Sequence, residues 1–172
     1  MTSQCSRRGC CRPAELHEPA QPLYNEALAK VDLLNQQLAD TFDLYSQTKQ
    51  AHWNVKGTDF YQLHLLFDSL AGGVLEFVDT IAERATSLGG VALGTARMAA
   101  DNSSLKEYPV DAVDGRSHLE AVAARFAAVA NSTRAAIDTA DEAGDADTAD
   151  LLTGVSRGLD KALWFLEAHI QA

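Results

Sequence analysis

Five side chains of metal-ligating type fall between positions 52 and 83: His52, His64, Asp68, Asp79 and Glu83. Imidazole and carboxylate donors in this mix suit iron(II), manganese or zinc better than copper(I) or magnesium. A carboxylate-rich set with room for oxygen species favours iron redox chemistry, because carboxylates offset cation charge and stabilise the hard Fe(III) ion. The imidazoles would set geometry, each needing a hydrogen-bond partner for its second nitrogen. Any one of these residues alone would be ordinary, a satisfied core histidine or a solvated carboxylate. Their spacing is not. His64 and Asp68 are separated by four residues, as are Asp79 and Glu83, so each pair can share a helix face. At about 100° per residue, Asp68 and Asp79 nearly share that face too. The neighbours Leu65, Phe67, Val78 and Ile81 are apolar.

Distance forbids the simplest site. Asp68 and Asp79 are eleven residues apart, about 16 Å along a helix, whereas metal–ligand bonds are roughly 2 Å long. The set becomes coherent if two copies of the helix pack antiparallel about a two-fold axis. His64 and Asp68 of one copy then meet Glu83 and Asp79 of the other. Both pairings are centred on one point, between Gly73 and Val74. Gly72-Gly73 lies there, although two glycines inside a helix cost roughly 2 kcal/mol against alanine. Close approach of two helices would account for them. An isologous dimer with two equivalent sites follows. His52 closes the preceding helix, and a short turn would bring it beside His64.

The elements that must position these residues are helices. Leu28, Val31, Leu34, Leu38, Phe42 and Tyr45 recur at steps of three and four, which predicts one long amphipathic helix ending near Asn54–Gly57. Thr58 or Asp59 can cap the next helix. That helix runs to about Leu88 and stops at Gly89-Gly90. Residues 91–115 form a long connection with a short helix near Ala96–Ala100. A third long helix carries Leu119, Val122, Phe126, Val129, Thr133, Ile137 and Ala140 and ends at Gly144. A fourth runs from about Asp147 to His169, with Leu152, Val155, Leu159, Leu163 and Leu166 inward. No strand-like stretch competes. The expected fold is all-α, a ferritin-like four-helix bundle with a short helix in the long crossover between helices two and three.

Composition bounds the rest. The chain has 172 residues, 47% of them hydrophobic, which suits one domain with a sizeable core. The formal net charge of −10 attracts cations and repels nucleic acid. No apolar run is long enough to span a bilayer. Arg7 and Arg8 are followed by GCCRPAELHEP rather than an apolar stretch, which does not read as a signal peptide. Cys5, Cys10 and Cys11 all lie in the first eleven residues, unlike a secreted disulfide scaffold. The expected location is therefore cytoplasmic. Residues 1–23, with Pro13, Pro19, Pro22 and no apolar period, read as a flexible tail, and 24–172 as the bundle domain.

The phrases KQAHWNVKG (49–57), FYQLHLLFD (60–68), VDTIAERATSLGG (78–90) and LDKALWFLEAHI (159–170) resemble the Dps family, the mini-ferritins known as DNA-binding proteins from starved cells. The resemblance covers roughly residues 24–171. Ordinary ferritins build a di-iron site inside one bundle with Glu-x-x-His, a motif this sequence lacks. The resemblance implies a hollow homo-dodecamer with tetrahedral symmetry and, as an enzyme, a ferroxidase. Fe(II) is oxidised at two-fold interfaces, preferentially by hydrogen peroxide, and ferric mineral is stored in the cavity. Carried over, His52, His64 and Asp68 come from one subunit and Asp79 and Glu83 from its mate, as both metal ligands and catalytic residues. Trp53, beside His52, reads either as a local radical sink or as core packing.

Asp141, Glu142, Asp145, Asp147 and Asp150 crowd the junction of the third and fourth long helices. They read either as a solvated acidic loop or, by the resemblance, as the lining of a three-fold iron pore with Asp141, Asp145 and Asp150 as its residues. In the tail, Cys5, Cys10, Cys11 and His17 supply enough soft ligands for a zinc site, although the spacing matches no recognised finger. Arg7, Arg8 and Arg12 could touch DNA phosphates, with avidity around an oligomer. Glu15 and Glu18 dilute that charge. The alternative function is therefore a nucleoid protein that compacts and protects DNA, with iron chemistry secondary. A plain helical scaffold would leave the five aligned ligands unexplained.

Overall fold

The computed structural model describes residues 21–171, with side chains from Leu28 onward. Five helices run in order: α1 (Gln21–Asn54), α2 (Phe60–Ser87), α3 (Ala96–Asn102), α4 (Gly115–Glu142) and α5 (Ala146–Ile170). The four long helices form two antiparallel pairs, α1 with α2 and α4 with α5, joined by the crossover that carries α3. The fold is the expected all-α four-helix bundle. Among the described residues the only β-type pairing is an isolated bridge, Lys56 to Asp114. None of the described helices is long and apolar enough to cross a membrane.

Helix α1 begins at Gln21, inside the stretch read from sequence as a tail. Pro22 fits there because the first turn of a helix has no internal use for its missing N–H. The tail residues Cys5, Cys10, Cys11, His17, Arg7, Arg8 and Arg12 lie outside the described residues.

The helix stops are chemical. At the end of α2, Gly89 adopts φ +83°. Its N–H bonds to the Thr86 carbonyl at 2.9 Å, and the Gly90 N–H reaches Ala85 at 3.1 Å. This left-handed cap satisfies carbonyls that a helix end leaves orphaned. Gly90 serves a second purpose, since a Cβ there would meet the Val31 side chain at 2.5 Å. The start of α2 differs from expectation. Asp59 holds the N-cap position but makes no side-chain capping bond, so packing and the turn from Gly57 hold that end.

The core is built from Leu34, Leu38, Leu44, Phe67, Val74, Ile81, Phe126, Leu152, Leu159 and Leu166, each almost fully buried. Some residues expected inward are less so: Leu28 is exposed, and Phe42, Tyr45, Ile137 and Leu163 are only half-buried. The face of α1 turned inward instead carries polar groups: Gln37, Asp40, Thr41, Gln47 and Thr48 are all buried. Three of them tie down other elements. Asp40 accepts from the Ser104 N–H at 2.6 Å and its hydroxyl at 3.1 Å. Gln47 donates to the Lys106 carbonyl at 3.0 Å, and Gln37 accepts from the Thr133 hydroxyl at 3.1 Å. The crossover backbone thereby finds partners that water would otherwise supply.

Candidate metal centre

The short link between α1 and α2 folds His52 back onto the first turns of α2. The two imidazole rings stack, with centroids 3.8 Å apart. Each ring fastens the other's backbone. Nδ1 of His52 bonds to the His64 carbonyl at 2.7 Å, and Nδ1 of His64 bonds to the His52 carbonyl at 2.8 Å. A carbonyl accepts only, so each Nδ1 carries the proton and donates. In the neutral ring this arrangement leaves Nε2 as the lone pair, the form that binds a metal. The His52 carbonyl is available because it belongs to the last turn of α1, where carbonyls have no helical partner. Local structure thus supplies the hydrogen-bond partners that the chemistry of the imidazoles requires.

Asp68 lies one turn further along α2, with an oxygen 3.8 Å from Nε2 of His52. That same oxygen accepts from the Lys49 ammonium at 2.6 Å. The Lys49 hydrogen bond holds the Asp68 carboxyl below its ordinary range, outweighing a smaller opposing desolvation, and the lysine's charge adds to it. Lys49 Nζ also stands 5.7 Å from the centre of the Trp53 ring, within cation–π reach. Sequence reading overlooked Lys49. Its signal was present, since Lys49, His52 and Trp53 recur at three and four residues along one helix face. Trp53 itself is 65% exposed, which overturns its reading as packing within the core of its own chain.

Asp79 and Glu83 sit far down the same helix. Both are exposed. Helix α2 is continuous from Phe60 to Ser87, so the rise of about 1.5 Å per residue separates them from Asp68. Among the described residues, no three His, Cys, Asp or Glu side chains gather to hold an ion within one chain. The structure therefore puts His52 against His64 and Asp68 near His52 without closing them into an ion-holding cluster, and leaves Asp79 and Glu83 apart. Between the two groups, a Cβ on Gly72 or Gly73 would meet nothing within 4 Å.

The acidic junction divides in two. Asp141 and Asp150 are exposed. Asp145 is buried and has a job inside the chain, as N-cap of α5. It accepts from the Thr148 N–H at 3.1 Å and hydroxyl at 2.7 Å, and from Arg84 at 2.7 Å. Burial alone would raise its pKa. The Thr148 hydrogen bonds and the Arg84 charge prevail and lower it.

A model of the ferritin-like domain matches residues 31–172. The DNA protection during starvation protein of Agrobacterium fabrum is 49% identical over 82% of this chain and 87% of its own length. The chain belongs to the Dps family of ferritin-like proteins. Two solved structures bear on the site. Dps from Microbacterium arborescens, in a high iron form, superposes with a TM-score of 0.79 at 31% identity, covering 86% of this chain and 95% of that one. The Dps protein of Vibrio cholerae O1, described as a member of the ferritin-like diiron-carboxylate superfamily, gives 0.80 at 27% identity, covering 85% and 91%. Membership of the Dps family places the chain among iron-binding, iron-storing proteins.

Proposed function

We propose that the protein is a ferroxidase and iron store whose sites close only between two subunits. The observation that carries this reading is the half-built centre. The stacked His52 and His64 rings and the Asp68 carboxylate lie at one end of α2, and two carboxylates without an intrachain partner among the described residues lie toward its far end. An antiparallel second copy, crossing near Gly73–Val74, supplies each half with the other. Exposed apolar side chains on the same helix support that occupant: Tyr61 is 68% exposed, Leu65 48% and Leu75 45%. In the proposed register Leu75 of one copy faces Gly72 of its partner, where a missing side chain leaves room. Six such dimers make the hollow dodecamer in which ferric mineral collects.

Iron is substrate and cargo here. Fe(II) enters the His52, His64, Asp68 half and displaces the Lys49 ammonium from the Asp68 carboxylate. Asp79 and Glu83 of the second copy complete the ligand set and neutralise the ferric product. One hydrogen peroxide takes one electron from each of two Fe(II) ions and, with two protons, leaves as two waters. Asp141 and Asp150 are the better placed of the acidic residues to draw cations toward the interior, since Asp145 is held by Arg84. A cytoplasmic location fits this chemistry. Purified apoprotein should oxidise Fe(II) faster with peroxide than with air. Equal rates with the two oxidants would sink the peroxide preference, and no iron in an anomalous map between the His64 end of one α2 and the Glu83 end of its partner would sink the site.

The name of the Agrobacterium relative favours a second reading, protection of DNA. The net charge of −10 opposes direct binding by the body of the protein. A gel-shift titration at two salt concentrations decides, because phosphate binding must weaken as salt rises.

A further inference from the structure

His118 is fully buried near the start of α4, and nothing in the reading above uses it. Its Nδ1 lies 2.5 Å from the Tyr108 hydroxyl, and its Nε2 makes no hydrogen bond. On that side the ring faces the Asn54 backbone, so the Tyr108 hydroxyl is the side-chain partner of this buried imidazole. The Tyr108 ring stacks beside it at 6.0 Å. Burial, partly offset by the Asn54 backbone and the Asp114 charge, depresses the His118 pKa, which favours the neutral imidazole as acceptor of the Tyr108 hydroxyl. Burial pushes the Tyr108 phenol up to about 12 against the pull of Arg125, so it keeps its proton. A protonated phenol held against a neutral base can lose an electron without building a buried charge on the ring, because the proton moves in the same event. Among the described residues no other tyrosine hydroxyl has an imidazole partner.

The pair is anchored to the turn that carries the ligands. The Asn54 backbone that faces His118 is the last residue of α1, two beyond His52. Gly115 lets α4 approach α2 so closely that a Cβ there would meet Leu63, the neighbour of His64, at 2.5 Å. Asp114 bridges to Lys56 within the turn itself. The start of α4 is thus pressed against both shoulders of the His52–His64 clasp.

We propose that Tyr108 and His118 form a proton-coupled redox pair that takes up the oxidising equivalent released when a lone Fe(II) cleaves hydrogen peroxide. This rests on the ferroxidase reading. The first Fe(II) gives one electron to peroxide, breaking the O–O bond to leave Fe(III), hydroxide and a hydroxyl radical. Tyr108 supplies the second electron, reducing that radical to hydroxide, while the phenolic proton passes to Nδ1 of His118. A second Fe(II) then reduces the tyrosyl radical, and the proton returns to oxygen. The sum is two Fe(III) and two hydroxides from two Fe(II) and one peroxide, even when iron arrives one ion at a time. Trp53, exposed and with no base to take its proton, cannot store the equivalent in this way.

The test is freeze-quench electron paramagnetic resonance on the full chain, mixed with one Fe(II) per expected site and peroxide. Ferric absorbance is recorded on the same samples. A tyrosyl signal is expected in the wild type, lost in Tyr108→Phe, and formed more slowly in deuterated water. In His118→Gln, which can accept a hydrogen bond but not a full proton, the signal should weaken. A signal that survives Tyr108→Phe overturns the assignment, and so does its absence from wild type that oxidises iron normally. Should His118→Gln not fold, Tyr108→Phe and the solvent isotope effect carry the decision. A second arm oxidises the iron-free protein with a photoexcited ruthenium complex. A Tyr108 radical is expected there too, and none would overturn the pair's redox role. If ferric absorbance itself fails to rise, the ferroxidase reading falls. A radical seen only in the ruthenium arm overturns the link between the pair and iron.

Discussion

The two ends of α2 carry the same class of side chain in opposite states. At the His64 end the candidate ligands are locked by their own chain: two rings stack, two Nδ1–H groups are bound to carbonyls, and a lysine holds the carboxylate. At the Glu83 end, Asp79 and Glu83 stand exposed with no hydrogen bond or ion pair from their carboxylates among the described residues. The difference is one of solvation. Imidazoles tolerate burial when each nitrogen has a defined role, so they can be prearranged within a monomer. Two carboxylates side by side are cheap only in water or beside a cation. In the proposed dimer, leaving them exposed until a partner and an ion arrive would avoid a burial cost in the single chain.

The largest effect should come from removing the exposed half. Asp79→Ala with Glu83→Ala should slow the fast phase of Fe(II) oxidation by about a hundredfold or more, with helix content by circular dichroism unchanged. A double variant with wild-type rates would show that the far end of α2 is only a solvated face. Gly72→Leu separates the ends more subtly. The single chain has room for the side chain and should gain up to about 1 kcal/mol of helix propensity. In the proposed dimer the new side chain collides with Leu75 of the second copy. Size-exclusion chromatography should therefore report a smaller assembly and stopped-flow a lost fast phase, and a full-sized, active variant would misplace the crossing point.

A third substitution asks whether the far end of α2 also depends on contacts within its own chain. Asp145→Ala removes a helix cap and orphans Arg84, the neighbour of Glu83, so it should cost about 3 kcal/mol in urea unfolding. Because the folded pKa of Asp145 is lowered, its contribution is complete above the unfolded carboxyl pKa. It is lost as pH falls through the lower folded value. The gap between wild type and Asp145→Ala should hence be full at neutral pH and shrink only in acid. A gap that stays constant into strong acid would mean the carboxylate charge is not what stabilises. The smallest effect belongs to Lys49→Met. With the ammonium gone, Asp68 is free, and a cobalt(II) probe should bind the His end several-fold more tightly, the scale expected for an exposed ion pair. Weaker binding would make Lys49 a supporter of the metal rather than its competitor.

Much of this was legible in the chain itself. Apolar spacing gave the four long helices, and Gly57, Gly89 and Gly144 marked three stops because each adopts a positive φ that other residues avoid. The spacing of His64, Asp68, Asp79 and Glu83 gave the helix face and ruled out a site within one chain, since helix rise per residue is fixed. Residue order alone thus determined the candidate ligand types and their periodicity, and with them the expectation of a second copy. It could not reveal what depends on neighbours distant along the chain. The buried polar face of α1 looked like an ordinary solvent face until the crossover covered it. Asp145 looked like one acid among several until Arg84, sixty-one residues away, claimed it. His118 had no telling spacing at all, and only the packing of α4 on the ligand turn put Tyr108 and Asn54 beside it. Helical period is a local property, readable from residue order, whereas solvation and the partner of each polar atom are decided when separate helices meet.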